Sequence, residues 1–212
     1  MALSTLFILL ASYLIGAFPT AYLIGRRRGI NLREAGDGNL GGLNTFRVLG
    51  RKPALLVSIV DIGKGALAAW LAHMLSGSDV VPYLAALASA LGHDFSIYIH
   101  FQGGQGMGSI LGSLIYMHPI ETLLGVGLFL LCYLLFRNWD AAWVVGMVTI
   151  IGSVWYLGHL LWEIGLIVVL IVTIGIKKWI DVPLARRLRE QHPQTRTIDE
   201  RQIRCHQPQS RF

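Results

Sequence analysis

The sequence LSTLFILLASYLIGAFPTAYLI occupies residues 3–24 and contains no charged side chain. A helix needs about 20 apolar residues to cross the hydrocarbon core of a bilayer, and this stretch is long enough. It is too long for the apolar core of a signal peptide, and it has neither a basic leader nor a cleavage motif. We therefore predict a retained membrane span.

The composition of the chain extends this prediction to the whole protein. Of the 212 residues, 54% are hydrophobic and 14% are charged, and the mean hydropathy is +0.56. Soluble domains carry about 25% charged residues, so most of this chain is expected to lie in lipid. Cys132 and Cys205 are far apart and indicate neither a disulfide framework nor a metal site. We predict an all-α membrane bundle that uses no cofactor, no metal and no nucleic-acid partner.

The same length rule predicts seven spans, some of them short or re-entrant. The predicted spans are 4–25, 53–74, 80–100, 107–118, 120–136, 141–156 and 158–176. The fourth is too short to cross alone at about 1.5 Å per residue. It is expected to be a short helix inside the bundle, or one half of a bent pair broken at Pro119. Six spans remain the alternative, because the break near Gly158 rests on that glycine and on length.

The basic residues favour seven spans. The loop after the first span carries seven arginines and lysines, whereas the segments 75–79, 118–120 and 157–159 carry none. With seven spans, the positive-inside rule places the N-terminus outside and the C-terminus in the cytoplasm. We predict a bundle over residues 1–180 and a basic cytoplasmic tail over residues 181–212. The tail is expected to start as an amphipathic segment on anionic lipid and then become disordered, or else to be a solvated tail that sets topology.

Two glycine-rich segments fall on the predicted cytoplasmic face. The first glycine loop, residues 36–47, reads GDGNLGGLNTFR, and the second glycine loop, residues 101–106, reads FQGGQG. Glycine lets backbone N–H groups turn toward a bound anion and lets that anion come close. In the first loop, Asn39, Asn44 and Arg47 are suited to an anion. The alternative is a capping asparagine and an arginine that binds lipid headgroups.

Ionisable residues interrupt two of the predicted spans. Asp61 and Lys64 have i, i+3 spacing and share a helix face, where they form either the floor of a pocket or a mutual ion pair that locks their helix to a second one. His93 lies in the inner half of the third span, near the second glycine loop. Its imidazole can act as a base near neutral pH, or it can simply hydrogen-bond a backbone carbonyl.

These motifs resemble the bacterial acyl-phosphate-dependent glycerol-3-phosphate acyltransferases, and the likeness covers about the first half of the chain in collinear order. The matching segments are 12–16, 19–25, 38–47, 48–50, Asp61-x-x-Lys64-Gly65, Leu91-Gly-His93, Phe101 and Gly103-Gly-x-Gly106. The resemblance implies a seven-span protein of the bacterial inner membrane with a cytoplasmic active site. It implies acyl phosphate and glycerol 3-phosphate as substrates, lysophosphatidic acid as product, and partner enzymes of phospholipid synthesis.

The resemblance also suggests the site residues. The tentative catalytic residues are His93 and Asp37. The implied substrate-binding residues are Gly38, Asn39, Gly41, Asn44, Arg47, Lys64, Gln102, Gly103, Gly104, Gln105 and Gly106.

The sequence departs from the family pattern at charged positions. Asp37 replaces a serine, and Gln102 and Gln105 replace two lysines, a shift of three charge units toward negative. A unit charge pair at about 4 Å is worth roughly 4 kcal/mol at an effective dielectric of 20, so phosphate binding is expected to weaken by orders of magnitude. In the second half, the expected serine after Arg137 and the expected His-x-x-Asn-x-x-Arg motif have no clear equivalents.

Three functions are therefore open at this point. The first is an acyltransferase with an altered pocket. The second is a non-catalytic paralogue that binds lipid or a partner enzyme. The third is a small-solute transporter with a polar site near Asp61, Lys64 and His93. The transporter is the least favoured, because the sequence shows no duplicated half and the glycine loops lie at the membrane face.

Overall fold

A computed structural model describes residues 2–191, which form nine α-helices, one short 3₁₀ turn at Ile97–Ile99, and no strand. The helices are α1 (Ala2–Ala17), α2 (Thr20–Arg27), α3 (Gly42–Leu49), α4 (Arg51–Ser76), α5 (Val81–Asp94), α6 (Met107–Met117), α7 (Pro119–Phe136), α8 (Trp139–Tyr156) and α9 (Leu161–Gln191). The predicted all-helical fold is thus confirmed for this part of the chain.

Three helical segments are long and apolar enough to cross a membrane: Leu3–Arg27, Arg51–Ser76 and Pro119–Phe136. Many of their large apolar side chains are exposed, including Leu55 on α4 and Leu123 on α7. Exposed apolar surface of this extent is expected where helices face lipid rather than water.

Several predicted boundaries differ from the helices observed. The predicted span at 80–100 is too long, because α5 ends at Asp94 and the chain then turns. The short helix α6 ends before Pro119, where α7 begins, so the predicted break is confirmed. The predicted break near Gly158 is also confirmed: α8 and α9 are separate helices, and Gly158 has a φ of 80°.

Helix α9 continues beyond residue 176, where the last span was predicted to end, and it crosses the predicted division at residue 180. Lys177 donates to Asp181 one turn later at 2.6 Å, and Leu188 is buried. The Lys177–Asp181 bond lies within α9, whereas the ion pair of Asp181 with Arg33 at 3.1 Å and the packing of Leu188 beside Gly38 hold the start of the predicted tail against the bundle. The disorder predicted for the end of the tail falls on residues 192–212, outside the described residues.

The helices of the central bundle approach closely at glycines. A Cβ added to Gly16 of α1 would overlap the backbone of Ser89 in α5, and a Cβ added to Gly92 of α5 would overlap the backbone of Tyr13 in α1. Helices α1 and α5 are therefore in backbone contact at both glycines. Helices α4 and α6 meet in the same way, through Gly65 and Gly112. Small residues at such contacts are typical of membrane helix pairs, because dispersion between backbones replaces the hydrophobic drive of water.

Candidate active site

A buried cluster of three ionisable side chains lies between α4 and α5. The Nζ of Lys64 is 2.8 Å from Oδ1 of Asp61 and 2.9 Å from Nδ1 of His93. All three residues are nearly inaccessible, with 4% of Asp61, 5% of Lys64 and 7% of His93 exposed. The mutual ion pair that the i, i+3 spacing allowed is therefore present, and His93 adds a third member.

The break between α1 and α2 provides a further hydrogen-bond acceptor for Lys64. Pro19 cannot donate a backbone hydrogen bond and disfavours helical geometry at the preceding residue, so α1 ends at Ala17 and α2 begins at Thr20. The carbonyl oxygen of Phe18 accepts a hydrogen bond from Nζ of Lys64 at 3.2 Å. The polar contacts of Lys64 therefore come from three different elements.

The second glycine loop wraps around His93. The N–H of Gly104 donates to the carbonyl oxygen of His93 at 3.0 Å, and a Cβ on Gly103 would overlap that same carbonyl. A Cβ on Gly104 would overlap Nε2 of His93. These two positions must therefore be glycine for the loop to lie against the imidazole.

The contact with Lys64 sets the tautomer of His93. A charged lysine has donors only, so Nδ1 must accept, and the proton of the neutral imidazole then resides on Nε2. The Nε2–H faces Gly104 and a small cavity of about 10 Å³ that Leu40, Ser96 and Gly103 also border. In this arrangement the Nε2–H of His93 points toward the glycine loop, and the role of base that the sequence suggested stays a prediction.

The fully buried side chain of Asn44 holds the first glycine loop in place through hydrogen bonds to its backbone and to the residues before it. Its Oδ1 accepts from the N–H of Asp37 at 3.0 Å, and its Nδ2 donates to the carbonyl oxygens of Leu32 and Ala35 at 3.1 and 3.0 Å. These bonds fix the loop at the start of α3. The predicted contact of this side chain with substrate stays untested, but its polar atoms are engaged in shaping the loop.

Asp37 and Arg47 form an ion pair at the surface of the first loop. Nη1 of Arg47 donates to Oδ2 of Asp37 at 2.6 Å, and Oδ1 of Asp37 accepts from the N–H of Asn39 at 3.0 Å. The charge of Arg47 is thus offset by the residue that replaces the family serine. Asn39 keeps a buried Oδ1 without a hydrogen-bond partner within residues 2–191.

Arg33 joins both glycine loops to α9. Its Nη1 donates to the carbonyl oxygen of Gly38 at 3.0 Å and lies 3.4 Å from that of Gly103, while its Nη2 contacts Oδ1 of Asp181 at 3.1 Å. Arg33 is one of the seven basic residues of the loop after the first span, which by their charge predict topology and not this contact. Nothing in its local sequence marks it, because its partners are five, 70 and 148 positions away.

An apolar groove of about 520 Å³ lies beside the buried cluster. Its lining residues are Leu14, Ile15, Phe18, Val60, Gly63, Lys64, Leu67 and Tyr98. Lys64 and Phe18 therefore belong both to the wall of the groove and to the polar cluster. Of the remaining predicted site residues, Gly41 lies on the first loop directly before α3, and its carbonyl oxygen accepts from the N–H of Thr45 at 3.0 Å. The others lie on the second loop, where Gln102 is exposed, Gln105 is half-buried, and Gly106 has a φ of 66° and precedes α6.

Comparison with known proteins identifies the family of this chain. The glycerol-3-phosphate acyltransferase family model matches residues 6–184. The chain belongs to this family.

Individual members of the glycerol-3-phosphate acyltransferase family are similar to this chain in sequence and in structure. The protein from Synechococcus elongatus is 39% identical over 160 residues, which cover 71% of this chain and 76% of the relative. The Thermus thermophilus protein is 34% identical over 182 residues, covering 86% and 90%. The crystal structure of PlsY (YgiH), an integral membrane glycerol 3-phosphate acyltransferase in its glycerol 3-phosphate form, aligns with a TM-score of 0.78 and 27% identity, covering 85% of this chain and 90% of that one.

Family membership agrees with the geometry of the site. The motifs that carried the resemblance, Asp61-x-x-Lys64, His93 and Gly103-Gly-x-Gly106, converge on one cluster although they come from three separate parts of the chain. The three charge differences that the resemblance suggested, at Asp37, Gln102 and Gln105, lie on the two glycine loops.

Proposed function

We propose that this protein is an integral membrane acyltransferase that moves an acyl group from acyl phosphate to the 1-hydroxyl of glycerol 3-phosphate and yields lysophosphatidic acid. The new ester bond joins the acyl carbon to the glycerol oxygen, and the bond from the acyl carbon to the phosphate oxygen breaks. Inorganic phosphate leaves and carries the proton of the hydroxyl. The observation that supports this reaction best is that an apolar groove and two glycine loops meet at Lys64 and His93.

The two halves of an acyl phosphate fit these two surfaces. The groove beside Leu14 and Leu67 takes the hydrocarbon chain, since burying each methylene contributes about 0.8 kcal/mol. The charged head then reaches Lys64 and the glycine loops, where backbone N–H groups bind phosphate without a side chain in the way. Arg47 lies on the first loop, where a second phosphate can replace Asp37 as its partner.

His93 is suited to stabilise the reacting carbonyl. As the hydroxyl attacks, negative charge develops on the acyl oxygen, and a fixed donor in a dry site stabilises that charge more than water does. The Nε2–H of His93 is such a donor, and the ammonium of Lys64 holds the ring in place through Nδ1. Lys64 is thereby both a positioning residue for His93 and a positive charge for the leaving phosphate.

The orientation in the membrane follows from the basic residues. We place the seven-span bundle in the bacterial inner membrane with its N-terminus outside and both glycine loops at the cytoplasmic face. Glycerol 3-phosphate then reaches the loops from the cytoplasm. Enzymes that make acyl phosphate or consume lysophosphatidic acid are the partners to expect.

Purified protein in lipid nanodiscs, incubated with palmitoyl phosphate and labelled glycerol 3-phosphate, tests this function. We expect labelled lysophosphatidic acid above that of empty nanodiscs, and much less product when palmitoyl-CoA replaces the acyl phosphate. A rate equal to that of empty nanodiscs would contradict the proposal for this substrate pair. It would favour the non-catalytic alternative, in which the scaffold binds lipid or a partner enzyme.

Restoring the family residues on the two loops should tighten acceptor binding. In the double variant Asp37→Ser/Gln105→Lys, Arg47 loses its internal counter-ion and the second loop gains a cation. Each partly exposed charge contributes up to about 1 kcal/mol, so we expect the KM for glycerol 3-phosphate to fall about tenfold. Asp79→Ser, which removes an exposed carboxylate near the other end of α4, is the matched control and should leave KM unchanged. A raised KM in the double variant would show that Asp37 positions Arg47 productively.

A bulky residue in the groove should shorten the preferred acyl chain. Gly63 lines the groove and has open space around it, so Gly63→Trp fills volume without displacing a neighbour in the bundle. We expect kcat/KM for palmitoyl phosphate to fall at least tenfold relative to that for octanoyl phosphate, because roughly two buried methylenes account for that ratio. The control is Gly127→Trp on α7, where an added Cβ also meets open space. Equal losses for both chain lengths would place the acyl chain elsewhere.

A further inference from the structure

A second polar cluster lies at the other end of α6 from the glycine loops. Helix α6 has 11 residues and, at about 1.5 Å per residue, separates the two sites by roughly 16 Å. The cluster is formed where five helices begin or end. Its members are Tyr83 of α5, His118 between α6 and α7, Glu121 of α7, His159 between α8 and α9, and Glu163 of α9.

Two histidines and one glutamate of this cluster converge on one point. Oε2 of Glu163 lies 3.0 Å from Nδ1 of His159 and 4.0 Å from Nε2 of His118. One potential ligand atom from each of these residues lies within 4.8 Å of the others. Zinc–nitrogen and zinc–oxygen bonds of about 2.1 Å at tetrahedral angles separate ligand atoms by roughly 3.4 Å. The observed separations run from 3.0 Å to at most 4.8 Å, so the ligand atoms would have to approach one another by up to about 1.4 Å to close the site.

The cluster holds two carboxylates and no lysine or arginine. Glu121 is 5% exposed, and within residues 2–191 the ion-pair partners of Glu121 and Glu163 are histidines. The connecting segments at this end, 75–79, 118–120 and 157–159, contain no lysine or arginine. Both ring nitrogens of His159 face carboxylate oxygens, at 3.0 and 2.8 Å, whereas a neutral imidazole has one N–H to donate, so a cation on Nδ1 would supply the second contact.

His118 would bind a cation through Nε2, the ring nitrogen that lies near Glu163. The residue is 2% exposed, and its Nε2 lies 2.7 Å from the hydroxyl of Tyr83, so a bound cation would replace that contact. Its Nδ1 has no hydrogen-bond partner within the described chain and takes no part in this coordination.

We propose that this cluster is a binding site for a divalent transition-metal cation of the zinc class, with His118, His159 and Glu163 as ligands. Two imidazoles and a carboxylate are a donor set that suits zinc and disfavours magnesium. Glu121 accepts from the second ring nitrogen of His159, since its Oε1 lies 2.8 Å from Nε2. A carboxylate behind a ligating histidine fixes the tautomer that binds metal through the other nitrogen.

A cation at this point would add to the contact that His159 already makes with Glu121 across the bundle. His118 adjoins the start of α7, whereas His159 and Glu163 belong to the turn and first residues of α9. The metal would therefore clamp the α8–α9 turn to the α6–α7 junction. We expect it to stabilise the fold without taking part in acyl transfer at the distant glycine loops.

Cobalt and zinc titration of the full chain tests this site. The protein, purified in detergent and stripped with EDTA, is titrated with CoCl₂ while its visible d–d absorption is recorded, and with ZnCl₂ in a calorimeter. We expect one equivalent to bind, a tetrahedral cobalt spectrum that zinc displaces, and no heat from MgCl₂. A featureless cobalt spectrum with no zinc heat would overturn the proposal and leave a cluster of protonated histidines that neutralise the two glutamates.

Three variants assign the ligands. His159→Ala and Glu163→Gln should each weaken zinc binding about 100-fold or more, whereas Glu121→Gln, which acts through His159, should weaken it roughly 10–100-fold. His73→Ala is the matched control, because His73 is an exposed histidine at the same end of the bundle that contacts Tyr116. Acyltransferase activity and the unfolding temperature of the metal-free variants report whether each is folded. Unchanged zinc affinity in folded Glu163→Gln would contradict the assignment.

Discussion

Replacing Lys64 with methionine should lower kcat/KM for acyl transfer by about 100-fold or more, the loss expected when a fixed donor is removed from a developing charge. The ammonium contacts Asp61, His93 and the carbonyl oxygen of Phe18 within 3.2 Å. Without it, Nδ1 of His93 loses its donor, and the tautomer that presents Nε2–H to the glycine loop is no longer enforced. Lys52→Met, near the exposed start of the same helix, should keep full activity.

The variant also loses stability, and a second substitution separates the two effects. Methionine leaves Asp61 buried without its cation, and breaking one partner of a buried pair costs about 3–5 kcal/mol. In Asp61→Asn/Lys64→Met both charges are gone, so we expect thermal stability in detergent to recover most of that loss. Activity should stay low, because neither residue then orients His93. Recovery of kcat in the double variant would show that Lys64 serves stability alone.

Replacing Gly65 with alanine should prevent assembly of the bundle. The new Cβ would overlap the carbonyl oxygen of Ser109, a backbone atom that moves only if α4 and α6 separate. Overpacking of this kind costs about 3 kcal/mol or more in a tightly packed interior. Gly63→Ala, two residues away in the same helix, adds the same methyl group to open space and should change stability by less than about 0.5 kcal/mol.

Size-exclusion profiles and thermal unfolding in detergent distinguish the two alanine variants. We expect a monodisperse peak and the wild-type unfolding temperature for Gly63→Ala, and aggregated or absent protein for Gly65→Ala. Equal profiles would mean that α4 and α6 are not in backbone contact in the folded protein.

The sequence predicted those parts of the site that depend on local spacing. The i, i+3 spacing of Asp61 and Lys64 predicts an ion pair, and this pair is present. The two glycine-rich segments were located from composition, and the break before Pro119 from the chemistry of proline. Each of these features depends on residues that are neighbours along the chain, so it can be recognised in the linear sequence.

Other parts of the site depend on contacts that the linear sequence hides. His93 joins Lys64 across 29 positions, and Arg33 reaches Asp181 across 148. The extent of α9 was underestimated for the same reason, since Arg33 and Lys177 hold Asp181 within the bundle. The role of Asn44 was expected to be substrate binding, and its bonds to the loop backbone became visible only when the turn before α3 was known.

The interruption of the first span at Phe18 and Pro19 has a consequence for the concentrations that the enzyme experiences. Phe18 borders both the apolar groove and the cavity beside the glycine loops, so in the proposed orientation the groove opens toward lipid and the loops toward the cytoplasm. In the proposed reaction, an acyl donor dissolved in the bilayer arrives by two-dimensional diffusion, and its supply is set by its number per unit of membrane area. Glycerol 3-phosphate then arrives from a volume. Under the proposed function, the ratio of membrane area to cell volume therefore enters the rate of lipid synthesis through a site built at one proline.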